Sequence, residues 1–187
     1  MFAARGAHLI DADAISRELL EPGSPVLAEV VEAFGPQILD EEGRADRAAL
    51  AREIFGDDAA RERLNAIIHP AVRERAQAQR EAAAASGSGP GGVVVIEDIP
   101  LLAETGQADR FDGVIVVEAP EQLRLERLQQ IRGMDPQDAR RRMAAQSTDR
   151  QRRAIATWII QNTGSLEETE AQVQGIWEEV GARLAES

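Results

Sequence analysis

Two pairs of acidic residues stand at the ends of short apolar segments, where parallel sheets commonly bind ligands. Asp11 and Asp13 follow one such segment, Ala7–Ile10, and Glu97 and Asp98 follow a second. Open α/β sheets bind ligands at the carboxyl ends of their strands. A carboxylate in that position can orient a magnesium ion or its water ligands. These residues are therefore the first candidates for a functional site.

Both pairs also have a purely structural explanation. Asp is a favoured helix N-cap, so Asp11 or Asp13 could simply begin the next helix, which we predict over residues 14–20. Pro100 could turn a surface loop after Glu97 and Asp98. The residues alone leave these alternatives open.

A cluster of arginines is the third candidate. It contains a glutamine as well, and its members are Arg140, Arg141, Arg142, Gln146, Arg150, Arg152 and Arg153. A charged run is often a solvated helix face, but planar and permanently charged guanidinium groups also suit the stabilisation of a transferring phosphoryl group. Arg142 and Gln146 are four residues apart, which predicts that they share one helical face.

Four short apolar segments predict the strands that position these residues. They are Ala7–Ile10, Val93–Ile96, Val114–Val117 and Trp158–Ile160. The second and third are continuous apolar runs, which is typical of strands buried on both faces of a parallel sheet. Long helical segments alternate with these strands, so the sequence predicts an α/β fold.

Local signals predict where the helices break. The segment between the first two strands looks helical, with breaks at Pro22–Pro25 and Asp40–Gly43. Ser86–Gly92 has the composition of a flexible connector. Gly133 can end one helix, and Asp135 with Pro136 can begin the next as N-cap and first residue.

Composition narrows the function classes. The 187 residues carry a net charge of −12, which argues against nucleic acid as a partner. Cysteine is absent and there are only two histidines, so we expect neither disulfides nor a thiolate metal site. No apolar run has the length of a signal peptide or membrane span, and we expect a soluble, cytoplasmic protein with no membrane partner.

Several motifs in a fixed order resemble those of the dephospho-coenzyme A kinase family. The resemblance covers positions 2 to about 182. It is carried by His8–Arg17 with Glu21–Gly23, Arg63–Pro70, Asp98–Glu104, Arg142 with Gln146, and Ile160–Gly164. Each motif is modest evidence, but their shared order and spacing favour this family over other nucleoside-phosphate kinases.

The resemblance implies a fold and a reaction. The fold would be α/β, with a P-loop kinase-like parallel sheet flanked by helices. Residues 1–20, 88–118 and 154–187 would form the nucleotide-kinase core, 21–87 a helical substrate domain, and 119–153 an arginine-bearing lid. The reaction would transfer the γ-phosphoryl group of ATP, with Mg²⁺, to the ribose 3′-hydroxyl of dephospho-coenzyme A.

The resemblance also implies roles for individual residues. Asp13 matches the general base, Asp11 would assist through the magnesium shell, and Arg142 would act on the transferring phosphate. Substrate contacts are expected at Arg17, His69, Pro70, Asp98, Pro100 and Glu104. Contacts with ATP are expected at Arg132, Gln146, Arg152, Asn162 and Gly164.

One departure from the family pattern concerns catalysis. Family members carry Gly-x-x-x-x-Gly-Lys-Ser/Thr after their first strand, and this sequence contains neither that motif nor any lysine. We expect that a central strand and the phosphate-binding loop, roughly twenty residues, are missing. The strands at Val93–Ile96 and Val114–Val117 should then not pair with one another. Catalysis by this chain is doubtful on this basis, and the alternative is a non-catalytic protein that binds dephospho-coenzyme A.

Overall fold

The computed structural model describes residues 1–86 and 92–186, and it divides into two compact units. One unit comprises Ala7–Ile99, and the other comprises Met1–Gly6 together with the chain from Pro100 onwards. Most of the predicted connector Ser86–Gly92 falls at positions 87–91, outside the described residues.

The unit Ala7–Ile99 contains a parallel pair of strands. Strand β1 is His8–Asp11 and strand β2 is Val95–Asp98. Their register places Asp11 opposite Asp98, so the two strands end side by side in acidic residues. The second strand begins two residues later than the sequence predicts, and it takes in both acidic residues that were expected to follow it.

Four α-helices and a 3₁₀ helix at Pro36–Ile38 complete the described part of this unit. Helix α1 is Ala12–Glu18, α2 is Pro25–Phe34, α3 is Arg47–Ile54 and α4 is Asp58–Ser86. The predicted break before α2 is confirmed, because the Ser24 side chain accepts a hydrogen bond from Val26 N and caps that helix. The predicted turn over residues 40–43 is closed by a single antiparallel bridge between Leu39 and Ala45.

Helix α4 packs into two apolar clusters of this unit, and its Val72 packs against both. Its first half places Leu64 and Ile68 against Val30 of α2. Its second half places Ala76 against Ile10 of β1. The long helix therefore connects the helical segment that contains α2 and α3 with the strand that carries Asp11.

The other unit contains the second parallel pair of strands. Strand β3 is Ile115–Glu118 and β4 is Trp158–Gln161, in parallel register. Because β2 pairs with β1 and β3 pairs with β4, β2 and β3 belong to different sheets, as expected.

Helices of this second unit precede β3, separate β3 from β4, and follow β4. They are α5 Leu102–Thr105, α6 Glu121–Arg132, α7 Pro136–Ala144, α8 Asp149–Ile155 and α9 Leu166–Glu186. The predicted junction between α6 and α7 is confirmed, because Gly133 ends α6 with φ 61° and Asp135 caps α7. A 3₁₀ turn at Ala3–Arg5 ends at Gly6, which has a φ of 103°.

The burial of β3 differs from the prediction. The continuous apolar run predicts burial on both faces, yet the Val117 side chain is 59% exposed, and Ile159 of β4 is also exposed. Helix α9 packs on one face of this sheet, where Ile160 meets Val173 and Ile176. The prediction is wrong for Val117: as the register partner of Ile160 it lies on the face that α9 packs against, but the apolar cluster under α9 does not include it.

Candidate active site

Asp11 joins the end of β1 to the start of α1. Its Oδ1 accepts a hydrogen bond from Ala14 N at 2.8 Å, and its Oδ2 lies 3.7 Å from Nη2 of Arg17. Asp11 is therefore the N-cap of the helix, as the structural alternative held. The helix begins at Ala12, two residues earlier than predicted, and this places Asp13 inside its first turn.

Asp13 lines a cavity of about 430 Å³. The wall is formed by residues of α1, the segment after it and the start of α3, namely Asp13, Ser16, Arg17, Leu20, Glu21, Asp40, Arg44, Ala45 and Arg47. The Asp13 carboxylate is exposed and makes no hydrogen bond or ion pair within the described residues. Its oxygens are therefore available to a molecule bound in the cavity.

The two acidic residues at the end of β2 have different environments. The Glu97 side chain is only 7% exposed and forms an ion pair with Arg80 of α4. Asp98 is exposed and has no polar partner in the described part of the chain. Glu97 therefore ties the strand to α4, and the Asp98 carboxylate remains available.

Asp11 and Asp98 are suitable partners for a magnesium ion. Mg²⁺ prefers oxygen ligands and is usually held by one or two carboxylates, with the rest of its shell supplied by waters and substrate phosphates. Within residues 1–86 and 92–186, no three His, Asp or Glu side chains form a group that could hold a metal alone. Two carboxylates on neighbouring strand ends fit a site in which the protein supplies part of the ligand shell, and waters and substrate phosphates supply the rest.

The remaining predicted substrate residues of this unit lie on helices. Arg17 lines the cavity, and its Nε donates to the backbone oxygen of Asp13 at 3.1 Å. His69 and Pro70 are exposed on α4 and are not among the residues that line the cavity. The structure thus brings Arg17 and Asp13 together at one cavity, and it places His69 and Pro70 elsewhere on the same unit.

The arginine cluster contains two kinds of residue. Arg141 pairs with Asp138, Arg152 with Asp149, and Arg153 with Glu118. The exposed members Arg140, Arg142 and Arg150 form no ion pair within the described residues, and neither does Arg132 at the end of α6. Only the second group is available to a bound anion without first losing a partner.

Arg142 and Gln146 do not share a helical face, so that prediction is wrong. Helix α7 ends at Ala144, and Gln146 follows its C-cap. The helix stops here because Ser147 N donates instead to Glu104 Oε1 at 2.6 Å and because Thr148 caps α8. These contacts direct the chain away from the axis of α7.

Glu104 therefore holds the junction between α7 and α8. Burial raises the pKa of the Glu104 carboxyl, but hydrogen bonds from Ser147 and from the Glu104 backbone, together with the charge of Arg152, leave that pKa below its ordinary value. Pro100, the other predicted substrate residue in this stretch, lies exposed in the turn before α5. The structure thus gives Glu104 a contact with the arginine-bearing segment.

Glu118 is a residue that the sequence analysis did not single out. It ends β3, is only 8% exposed, and accepts hydrogen bonds from Arg153 and, at 3.0 Å, from Gln161 Nε2. These donors, Arg153 above all, hold the pKa of the Glu118 carboxyl below its ordinary value. Glu118 could have been found from the sequence by the signal that indicated Asp11 and Asp98, namely an acidic residue at the end of an apolar strand.

The loop after β4 carries the last two predicted residues. Asn162 N donates to the backbone oxygen of Glu118 at 2.7 Å, so this loop is tied to the end of β3. Gly164 lies against the Glu168 carboxylate, which accepts a hydrogen bond from Ser165 N at 2.8 Å. The two residues therefore lie at the carboxyl ends of this unit's strands.

These features define a class of protein. Carboxylates at the ends of parallel strands and unpaired arginines on a helical segment are the residue types of an α/β phosphoryl-transfer enzyme. A family model for dephospho-CoA kinase matches residues 1–168. A Thermobifida fusca protein described as a dephospho-CoA kinase is 48% identical over 182 residues, which are 97% of this chain and 88% of that protein. The chain belongs to the dephospho-CoA kinase family, and the predicted enzyme class, a kinase of coenzyme A biosynthesis, is confirmed.

Solved structures share the fold. A Thermus thermophilus protein has a TM-score of 0.79 at 30% identity, covering 95% of this chain and 87% of its own. A dephospho-CoA kinase from Campylobacter jejuni has a TM-score of 0.68 at 24% identity, covering 96% and 88%. The predicted α/β fold of the P-loop kinase type is confirmed. In the described part of the chain, no helix is long and apolar enough to cross a membrane.

Proposed function

We propose that this protein transfers the γ-phosphoryl group of ATP to the ribose 3′-hydroxyl of dephospho-coenzyme A. The hydroxyl oxygen bonds to the γ-phosphorus, the bond from that phosphorus to the β–γ bridging oxygen breaks, and ADP leaves. The products are coenzyme A and ADP. Family membership supports the substrates, and the observation that carries the proposal is the free Asp13 carboxylate on the wall of a cavity.

Asp13 is the proposed general base. A base must lie within hydrogen-bond reach of the proton it accepts. The Asp13 carboxylate faces a cavity and has no competing donor within the described residues, so a hydroxyl group bound there can donate to it. Asp11 is occupied by the Ala14 amide and lies near Arg17, which makes it a poorer base.

Asp11 and Asp98 are the residues that would hold Mg²⁺. When bound, the ion neutralises charge on the phosphate oxygens of ATP. Asp98 suits this role better than Glu97, because Glu97 is buried and paired with Arg80. Both proposed ligands end neighbouring strands, where their backbone positions are fixed by the β1–β2 ladder.

The arginine-bearing segment is proposed to bind the phosphates of ATP. Arg142 is its leading member, because it is exposed and carries no ion pair within the described residues. Arg132 shares these properties, whereas Arg152 donates to Ser147 O and Asp149 and so stabilises the segment.

The proposed domains are 119–153 as a lid, 21–87 as the substrate domain and the remainder as the nucleotide-kinase core. His69, Pro70, Pro100 and Glu104 stay proposed substrate contacts, and Gln146, Asn162 and Gly164 stay proposed ATP contacts.

The test is product formation by the purified chain. Dephospho-coenzyme A, ATP and Mg²⁺ are incubated with the protein, and mass spectrometry with ³¹P NMR follows the appearance of a 3′-phosphate. The Thermobifida fusca relative serves as the positive control. Phosphorylation of another hydroxyl, or of a different nucleoside in preference, would contradict the proposal.

One observation favours a second candidate function. The chain contains no lysine, and a lysine that reaches the β- and γ-phosphates is part of catalysis in P-loop kinases. A protein of this kind could bind dephospho-coenzyme A without phosphorylating it. Calorimetric binding of dephospho-coenzyme A, together with no product in the assay above, would favour this candidate. Turnover by a rigorously purified sample would rule it out.

A further inference from the structure

We propose that Arg47 binds the diphosphate group of dephospho-coenzyme A and thereby orients the ribose toward Asp13. This inference rests on the proposed function and deepens it, because it assigns a position in the cavity to a second part of the substrate. Arg47 lies on the wall that also carries Asp13.

The cavity has the size and polarity of a small-molecule site. Its volume of about 430 Å³ lies within the range of roughly 300–1,000 Å³ found for ligand pockets. Its wall carries three carboxylates and three guanidinium groups, and one of those carboxylates is Asp13. Which of the cations is available to a ligand depends on their partners within the protein.

Arg44 is paired with neighbouring acids through two of its three guanidinium nitrogens. Its Nε donates to Asp40 Oδ2 at 2.9 Å, and its Nη2 donates to Glu42 Oε2 at 2.9 Å. Asp40 also accepts the backbone N–H of Arg44 at 2.8 Å. These bonds hold the pKa of the Asp40 carboxyl below its ordinary value, so both groups stay charged and joined. Arg44 therefore shapes the wall and offers little to a ligand.

Arg17 is also partly engaged. Its Nε donates to Asp13 O at 3.1 Å, and its Nη2 lies 3.7 Å from Asp11 Oδ2. Both contacts are to the strand end and first helical turn that carry the proposed base. Arg17 is therefore held beside the proposed base Asp13.

Arg47 is the remaining cation of the wall. It is the first residue of α3, and the Asp46 side chain already accepts from Ala48 N and Ala49 N of that helix. The Arg47 guanidinium makes no hydrogen bond or ion pair within the part of the chain that the structure describes. Its five N–H donors are therefore free to bind an anion from the cavity.

The chemistry of the substrate matches this arrangement. The 3′-hydroxyl and the 5′-diphosphate of dephospho-coenzyme A belong to the same ribose, so a hydroxyl that faces Asp13 places the diphosphate in the same cavity. A guanidinium fork matches two phosphate oxygens better than an ammonium group does. Asp13 and Glu21 also line the cavity, and their carboxylates would repel a diphosphate placed beside them. Arg47 therefore determines which end of the ribose faces Asp13.

The test compares two arginines of α3 by isothermal titration calorimetry. Arg47→Gln removes the proposed contact, and Arg52→Gln removes an exposed arginine of the same helix that does not line the cavity. The probes are dephospho-coenzyme A and adenosine, which lacks the diphosphate. We expect Arg47→Gln to weaken binding of dephospho-coenzyme A by about ten- to hundredfold and to leave adenosine binding within about twofold. Arg52→Gln should behave as the unchanged protein with both probes.

Each outcome has a distinct meaning. Binding of dephospho-coenzyme A that is equally strong in Arg47→Gln and in the unchanged protein would overturn this inference and leave the proposed function intact. Failure of the unchanged protein to bind dephospho-coenzyme A would overturn the proposed substrate and this inference with it. Equal weakening by the two variants would show a general charge effect and would also contradict the specific contact. Arg47→Lys keeps the charge, and it should recover only part of the lost affinity. Thermal unfolding of each variant establishes that it is folded.

Discussion

The guanidinium group of Arg153 donates two hydrogen bonds to the carboxylate of Glu118, from Nε at 2.8 Å and from Nη2 at 2.6 Å. The pair ties α8 to the end of β3. Since Glu118 also accepts from Gln161, one buried carboxylate joins a helix and two strands. Glu118 therefore contributes to the attachment of α8 to its sheet.

Glu118→Gln should destabilise the unit that contains Pro100 and the chain beyond it. The amide keeps the shape but loses the charge-assisted contact with Arg153, at an expected cost of about 1–3 kcal/mol. Chemical denaturation monitored by circular dichroism measures this free energy of unfolding. Glu186→Gln, at an exposed position in the last turn of α9, is the control and should change it little. Equal stability of the two variants would show that the Arg153 contact contributes nothing.

The contribution of Glu118 should depend on pH. Its pKa in the folded protein lies below the ordinary value of 4.5, because Arg153 stabilises the charged form. The stabilisation is therefore complete above about pH 4.5 and is lost as pH falls through the lowered pKa. The difference in unfolding free energy between the unchanged protein and Glu118→Gln should be largest above about pH 4.5 and should shrink as the pH falls through the lowered pKa of Glu118. A difference that grew on acidification would contradict this assignment.

Asp13→Asn should separate chemistry from binding. In a form of this kinase with measurable turnover, the amide cannot accept the hydroxyl proton, and kcat should fall by about 10²–10⁴-fold. Because Asn has nearly the same shape as Asp, the Kd for dephospho-coenzyme A and for ATP should change little. Steady-state kinetics and calorimetry measure the two effects. A loss confined to KM would make Asp13 a binding residue.

Arg142→Lys should lower turnover more than Arg141→Lys does. Both residues lie on α7, but Arg141 pairs with Asp138, whereas Arg142 has no ion pair within the described residues. A lysine at position 142 keeps the charge and loses the planar, two-pronged contact with phosphate oxygens. The comparison requires kcat and the KM for ATP of both variants. Equal effects would show that position 142 has no special contact with the nucleotide.

Local sequence signals predicted those features of the fold that depend on neighbouring residues. Gly133 ends α6 and Asp135 begins α7 because a positive φ favours glycine and because a carboxylate can cap the next helix. The four strands were found where apolar runs occur, although β2 begins at Val95 and not at Val93. Strand ends are set by pairing with β1, which no local pattern encodes.

Less of the candidate site than of the fold could be predicted from the sequence. Asp11, Asp13 and Asp98 were visible because they follow apolar strands. The pairing of Glu97 with Arg80 was not, because the two residues are brought together by the packing of α4 beside the strands. The hydrogen bond from Ser147 N to Glu104, near which α7 ends before Gln146, was not predictable either. It joins residues that are 43 positions apart in the sequence. Such contacts follow from the tertiary structure and leave no periodic signal in the sequence.

Helix α4 gives the unit Ala7–Ile99 a mechanical property. Its 29 residues make a rod of about 44 Å, with Leu64 and Ile68 fixed in one apolar cluster and Ala76 fixed in the other. Pro70 lies between these two anchors, and its ring supplies no N–H to the preceding turn. We therefore expect any bend of α4 to occur at Pro70, because the helix lacks one backbone hydrogen bond there. A small change of angle at Pro70 would produce a larger displacement at the ends of α4. It would move helices α2 and α3 relative to the strand ends that carry Asp11 and Asp98.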